Sequence, residues 1–281
     1  MMNKKLPLSR AICLPLLLSA TLSAQADTLS DIASRGQLNC GVYADVPPFS
    51  SPDPKTRQLV GMDVDLCQAL AGQLGVKVNL MPVSVEARIA VLTTGRVDVL
   101  IANLAYTKSR AAQIQFSDPY YIAKEVLVVK SPNADKTPAD FKGKRLSSTK
   151  GSTSEQSIRM AQAKPVTFQD TASAYLALQQ NKSVGFVTNG MTATQLVNRA
   201  AADNIKLAMI KEPMALEPVA VGMKKGDEAL LTKVNAGLMA MEQGGEIDRI
   251  WNRWLGPDTE YKMVREEKVQ PLSKLKFVPL E

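Results

Sequence analysis

The chain of 281 residues has no histidine. Zinc sites that rest on His and hydrolytic triads that rely on imidazole are thereby excluded. After residue 26 no run approaches the roughly 18 to 20 apolar residues that a membrane-spanning helix needs. Runs of basic residues are also missing, so a nucleic-acid partner is not implied. Ser147 and Lys150 have the S-x-x-K spacing of a serine nucleophile site, but Ser147 falls on an expected strand and no K-T-G follows. Lys150-Gly151-Ser152-Thr153 lacks the first glycine of a phosphate-binding loop and has Gly and Lys in the wrong order. Neither a metal nor another cofactor is expected.

What is present begins with an export signal. Lys4, Lys5 and Arg10 form a positive region, Ala11 to Ala20 an apolar core, and Ala24-Gln25-Ala26 a small-x-small cleavage site. Residues 1–26 read as a signal peptide, with Asp27 starting the mature chain. Ile12 stands before Cys13 where a lipoprotein signal has a small residue, which argues against a lipid anchor. The segment holds three of the 34 basic residues and none of the 27 acidic ones, so the remainder carries a mild net charge of +4. About 255 residues are left, enough for two domains. Of the two cysteines in that part, Cys40 falls on the first expected strand and Cys67 on the helix after it. They either pair or remain buried thiols.

Strands and helices alternate from the start. A short helix from Asp27 to Gly36 leads into a strand, Leu38 to Tyr43, and then a loop stiffened by Pro47 and Pro48. An Asp at 63 or 65 can cap the next helix, whose Leu66, Leu70 and Leu74 recur every four residues. Val76 to Leu80 and Val97 to Ile101 are further strands. Thr107 caps a helix carrying Ala111, Ala112 and Ile114. This is the pattern of a parallel sheet with helices on its faces. After a strand at Val126 to Lys130 the chain breaks at Ser131-Pro132-Asn133, and a second alternating unit follows. Its strands are Arg145 to Ser148, Lys164 to Phe168 and Val184 to Thr188, with Ser152 and Glu155 at capping-box spacing between the first two. A strand from Val219 to Met223 and helices at 227–243 and 246–254 come last, with Trp251 and Trp254 expected in the core. The tail after Gly256 has no clear period.

The informative stretch runs from Arg88 to Tyr121. A capping box would place Glu or Gln three residues after Thr107; Arg110 stands there, at the positive end of the helix dipole. A cation in that place is unfavourable unless an anion faces it. The Arg-led helix, Gly95, Val97-Asp98, Thr107-x-x-Arg110 and Phe116-Ser117-Asp118-x-Tyr120-Tyr121 together resemble the signature region of family 3 of the bacterial periplasmic solute-binding proteins, the polar amino-acid receptors of ABC importers. The similarity extends from about Leu38 to Gly256.

The resemblance implies a type II two-lobed α/β fold, each lobe a mostly parallel sheet flanked by helices, joined by two crossover strands. Lobe 1 is then 27–130, lobe 2 is 131–214, and 215–281 returns to lobe 1 with a tail. In such sheets ligands sit beyond the carboxyl ends of the strands. The implied ligand-binding residues are Arg110 for a carboxylate, Asn103 and Ala105 in the loop before it, Gly151, Ser152 and Thr153 completing the carboxylate site, and Asn189 where the family carries an ammonium-binding Asp. Val46 is aliphatic near where an aromatic often covers the ligand side chain, and Tyr43 or Phe49 is the substitute. Ala105 lacks the usual hydroxyl, and Asn189 brings no charge. Either another acid, such as Asp45, Glu155 or Asp170, supplies it, or the ligand is not a standard α-amino acid.

The implied function is capture of a small polar carboxylate-bearing solute, most simply an amino acid, by a monomeric periplasmic receptor. Hinge closure would present that solute to an ABC permease in the inner membrane. Two rivals use the same scaffold. One is a periplasmic enzyme similar to cyclohexadienyl or arogenate dehydratases, and the other is a receptor feeding a sensor kinase.

Overall fold

The computed structural model describes residues 28–281; the expected signal peptide and Cys13 lie outside the described residues. From its start the chain runs α1 (Thr28–Arg35), β1 (Gln37–Tyr43), β2 (Ser51–Pro52), β3 (Leu59–Val60), α2 (Met62–Gln73), β4 (Lys77–Val83), α3 (Arg88–Thr93), β5 (Val99–Leu100), α4 (Lys108–Gln113) and β6 (Ile114–Phe116). It continues through β7 (Tyr121–Lys130), β8 (Arg145–Thr149), α5 (Thr153–Met160), β9 (Lys164–Phe168), α6 (Thr171–Gln179), β10 (Gly185–Asn189), α7 (Gly190–Ala202) and β11 (Leu207–Met209). The last elements are β12 (Ala215–Val219), β13 (Gly222–Lys224), α8 (Glu228–Gln243) and α9 (Glu246–Leu255).

Two sheets divide these strands. The first has the order β4-β1-β5-β13-β6, with β1 parallel to both neighbours and β13 antiparallel to both of its own. In the second, β11-β7-β10-β8-β9, the strands β10, β8 and β9 run parallel, and β12 also pairs with β7. Each sheet is covered on both faces, which explains the near-continuous apolar runs of its central strands. Leu38, Cys40 and Val42 of β1 pack with Leu66, Leu70, Leu238 and Trp251. Val97, Leu100 and Leu104 join Leu92 and Ile114 in a second cluster. In the second lobe Leu127, Leu146 and Val187 belong to one cluster, and Val128, Leu178 and Phe186 to another.

The passage between lobes differs from the sequence reading, which put it at Ser131-Pro132-Asn133. The whole of β7 lies in the second sheet, and its first five residues, Tyr121 to Glu125, pair antiparallel with Val219 to Ala215 of β12. These paired strands are the crossovers, with Tyr121, Ala123 and Val219 still packed in the core cluster of lobe 1; Ser131–Asn133 is a 3-10 turn at the far end of β7. The returning strand is likewise split, with Val219 closing β12 in one sheet and Gly222 opening β13 in the other. Ile114 starts β6 instead of ending the helix, whose six residues are too few to continue past its C-cap. Helix α7 and strand β11 were not anticipated.

Asp63 does not cap α2. That position is Gly61, at φ 146°, where an added Cβ would sit 2.2 Å from the Phe49 carbonyl oxygen. Only glycine lets the Pro48-Phe49 turn close on the start of α2, where both carbonyls accept from its first N–H groups. Of the two readings for the cysteines, the paired one holds: Cys40 and Cys67 form a disulfide, with Cα atoms 6.1 Å apart. The expected caps at Thr107 and Ser152 are present, and Trp251 lies in the core.

The tail has a structural job that its sequence hides. Arg265, 8% exposed, donates to Glu242 at the end of α8, to Asp248 on α9 at 2.8 Å, and to the Tyr120 carbonyl at 3.2 Å. Further on, the Leu280 carbonyl accepts from Lys108 N at 2.9 Å, so the strap ends on the first turn of α4. Charge pairs and backbone bonds leave no apolar period to read.

Removing one partner from a buried ion pair strands the other, at about 3 to 5 kcal/mol. Arg265→Ala should therefore lower stability by about 3 kcal/mol in urea titrations. Lys268→Ala, which removes a half-exposed cation from the same cluster, should leave the urea midpoint close to that of the parent.

Candidate functional site

The carboxyl ends of β1 and β5 and the N-termini of α5 and α7 converge between the lobes on a cavity of about 40 Å³. Arg110 is set at its edge by the Thr107 cap, whose Oγ1 accepts from Arg110 N at 3.1 Å. Its guanidinium donates to the Ala105 carbonyl of lobe 1 at 2.9 Å and to the Gly151 carbonyl of lobe 2 at 3.1 Å. Burial and the neighbouring Arg88 push its pKa down to about 9, so it remains a cation at neutral pH. Lys150 pairs with Glu86 at 2.7 Å across the same gap. The lobes are thus closed on each other.

Arg88, from the first turn of α3, is only 2% exposed and lines the cavity. Nη1 donates to the Ala102 carbonyl at 2.9 Å and to the Tyr43 hydroxyl, while Nε has no partner. Asp63, fully buried, accepts from Asn103 N at 2.8 Å and so holds the loop that leads to Arg110. Burial raises its pKa to about 8. The Tyr121 hydroxyl donates to the Asn103 side chain, fixing the same loop from the crossover strand.

Two acids lie on the crossover strands. Glu125 and Glu217 are each 3% exposed. At the N-terminus of α5, Ser154 donates to Glu125 Oε2 and Thr153 to Glu217 Oε2, the latter at 2.9 Å. Burial raises the Glu125 pKa to about 7, and burial together with the Glu125 charge pushes Glu217 well above the carboxylate range. Asn189 caps α7, its side-chain oxygen accepting from Met191 N at 2.9 Å. Its Nδ2 forms no hydrogen bond of full geometry among the described residues; the nearby Tyr121 hydroxyl has its pKa raised by burial, which the Asn189 side chain only partly opposes.

Of the residues singled out from sequence, Tyr43, Asn103, Ser152, Thr153 and Asn189 line the cavity. Arg110 and Gly151 meet at its edge, and Ala105 contributes its carbonyl to Arg110. Phe49 is fully buried and packs edge-on against Tyr43 with ring centres 6.5 Å apart, so it supports that ring without reaching the cavity. The acids proposed to compensate for Asn189 lie elsewhere. Asp45 is exposed, Glu155 pairs with Arg159 at 2.8 Å, and Asp170 caps α6. Arg88, Asp63, Glu125 and Glu217 were missed. For the glutamates a signal existed: each is a lone acid inside an apolar strand, YIAKEVLVVK or ALEPV.

A larger groove of about 510 Å³ opens along Ile122, Lys124 and Val126, which alternate with Glu125 on β7, and is walled by tail residues Met263 to Glu267. Its charged side chains Lys124, Glu266 and Glu267 are exposed. Arg265 in its wall is buried but is spent on Glu242 and Asp248, whereas Arg88 and Glu125 are buried in the wall of the smaller cavity.

Two lobes, two crossover strands and a polar cavity between strand ends define a solute-binding protein of the type II periplasmic class. The chain belongs to the bacterial extracellular solute-binding proteins, family 3, whose model matches residues 38–257. It is 28% identical over 245 residues to the ABC transporter glutamine-binding protein GlnH of Bacillus subtilis, covering 85% of this chain and 88% of that one. Among solved structures it is similar to an ancestral arginine-binding protein bound to arginine, at 35% identity and a TM-score of 0.72, over 79% of this chain and 99% of that one. It is also similar to the ancestral amino acid-binding protein AncCDT-1, a precursor of cyclohexadienyl dehydratase, at 33% identity and a TM-score of 0.72, over 82% and 100% of the two chains.

The raised pKa of Asp63 has a consequence for stability. The native state holds a proton on Asp63 that the unfolded chain releases near pH 4, so its favourable contribution is complete below about 4 and is lost as pH rises through about 8. Asp63→Asn should flatten the stability curve between pH 4 and 8 by about one proton, measured by urea titration at each pH. An unchanged slope would show that Asp63 is ionised throughout.

Proposed function

We propose that this chain is the receptor of an ABC importer, a monomer that binds one α-amino acid between its lobes in the periplasm and hands it to an inner-membrane permease. The carrying observation is Arg110, a buried cation on lobe 1 whose guanidinium ends on a carbonyl of lobe 2. A ligand carboxylate entering the cleft would exchange places with the Gly151 carbonyl, exploiting the planar donor fork of Arg in a low-dielectric site. Contacts to both lobes then favour the closed state over the open one. The relatives named for glutamine and arginine support an amino acid as the solute class.

One observation favours an enzyme as the second reading. Glu125, half-protonated near pH 7 and beside a carboxylate-binding Arg, has the properties of a general acid for a dehydratase. AncCDT-1, as a precursor of such an enzyme, supports asking the question.

Titration calorimetry of the refolded, ligand-stripped protein against the twenty amino acids should find one tight ligand. Arg110→Ala should weaken it by about 3 kcal/mol, more than 100-fold in Kd, and Arg110→Lys should recover only part of the loss. Binding that survives Arg110→Ala would overturn the assignment. Release of phenylpyruvate from prephenate would bring the enzyme reading forward.

A further inference from the structure

Three residues on the wall of the 40 Å³ cavity each carry a buried polar atom with no hydrogen-bond partner among the described residues: Arg88 Nε, Thr192 Oγ1 and Asn189 Nδ2. These residues are at most 6% exposed. Buried polar groups are almost always satisfied, so three such residues around one cavity point to a ligand there. The lining also carries one acid, Glu125, and one cation, Arg88.

The sheet register places that acid. Glu125 of β7 is the direct cross-strand partner of Asn189 on one side and of Ala215 on the other. Directly opposed side chains stand on one face with Cβ atoms about 4.5 to 5.5 Å apart. The Glu125 carboxylate therefore rises from the cavity floor one strand away from the neutral amide of Asn189. Glu217, two residues beyond Ala215 on β12, shares that face. Ser154 occupies Glu125 Oε2, and no hydrogen bond to Oε1 is present among the described residues. Thr192 Oγ1 is a second free acceptor on the wall.

Building on the reading of the site as an amino-acid receptor, we propose that Glu125 is the residue that binds the ligand's ammonium group, with Thr192 as a second acceptor, so that the cationic end is held at the hinge. Every charged group facing Glu125 fits this. Arg110 from α4 and Arg88 from α3 oppose it from lobe 1, where a ligand carboxylate would lie, and Glu217 from β12 stands behind it. Ser154 on α5 and Asn189 on β10 bring no charge. Glu125 titrates near pH 7 without ligand, so an ammonium beside it would expel its proton, and affinity would rise with pH through about 7.

Calorimetry with Glu125→Gln, Glu217→Gln and the parent protein tests this, using the tight amino acid, its des-amino analogue and two buffers of different ionisation enthalpy. The parent should release protons on binding the amino acid between pH 6 and 8. Glu125→Gln should bind it at least tenfold more weakly and the des-amino analogue within threefold of the parent. Glu217→Gln should change neither by more than threefold, since Glu217 does not line the cavity and its Oε2 is taken by Thr153. Amino-acid affinity within threefold of the parent in Glu125→Gln would overturn the proposal while leaving the receptor reading intact. The same holds if Glu217→Gln alone loses affinity. No proton release by the parent overturns it even if Glu125→Gln fails to fold. A parent that binds des-amino acids and no amino acid would sink this proposal and the amino-acid reading together.

Discussion

Charge taken out of water governs the centre of this molecule. Arg88, Arg110, Asp63, Glu125 and Glu217 are all buried where the lobes meet, and each isolated charge there would cost several kcal/mol. The protein meets that cost in different ways. Arg110 stays charged and spends donors on two carbonyls, one from each lobe. Asp63 and Glu217 are shifted toward their neutral forms. Glu125 is left at the balance point, near pH 7. Among the described residues, the buried side-chain atoms that remain unsatisfied include three that belong to residues on the wall of one small cavity. Such a site is incompletely solvated by the protein, and the proposed zwitterionic ligand would complete that solvation.

The crossover strands give this arrangement its mechanics. They connect the lobes through the antiparallel register from Tyr121–Val219 to Glu125–Ala215, and they carry both glutamates. Tyr121, at the start of the first crossover, also reaches the Asn103 loop of lobe 1. The first crossover strand is therefore part of the floor of the site. The disulfide joins the first strand to the helix behind it, and the tail clamps α8, α9 and the start of α4. Lobe 1 is thus braced on the side from which Arg110 projects.

The sequence made the fold legible wherever burial is periodic. The α2 repeat of Leu66 and Leu70 and the helices α8 and α9 fall within a residue or two of expectation, because each buries an apolar face; the strands β8 and β9 fall as close. Cap chemistry was legible too, at Thr107 and Ser152. What failed was non-local. The crossover was misplaced because a strand's own residues do not say which sheet takes its hydrogen bonds. Asp63 looked like a helix cap because the Asn103 amide that it holds lies 40 residues away. Arg88 and the two glutamates were missed for the same reason. A lone charge in an apolar stretch reads as a break in the pattern until the structure shows what stands around it.

Asn189 illustrates the limit most sharply. Compared position by position with the family resemblance, it signals a lost carboxylate and hence a changed ligand. In the sheet, its neighbour one strand over is a buried carboxylate, so the charge is available from a different point of the same floor. The amide at 189 keeps the capping duty that an Asp would also perform, since its oxygen still accepts from Met191 N. On the proposed assignment, a charge on a crossover strand and not at the strand end of lobe 2 separates two tasks. The cationic end of a ligand is held by Glu125, while the anionic end meets Arg110, whose guanidinium already spans from the Ala105 carbonyl of lobe 1 to the Gly151 carbonyl of lobe 2.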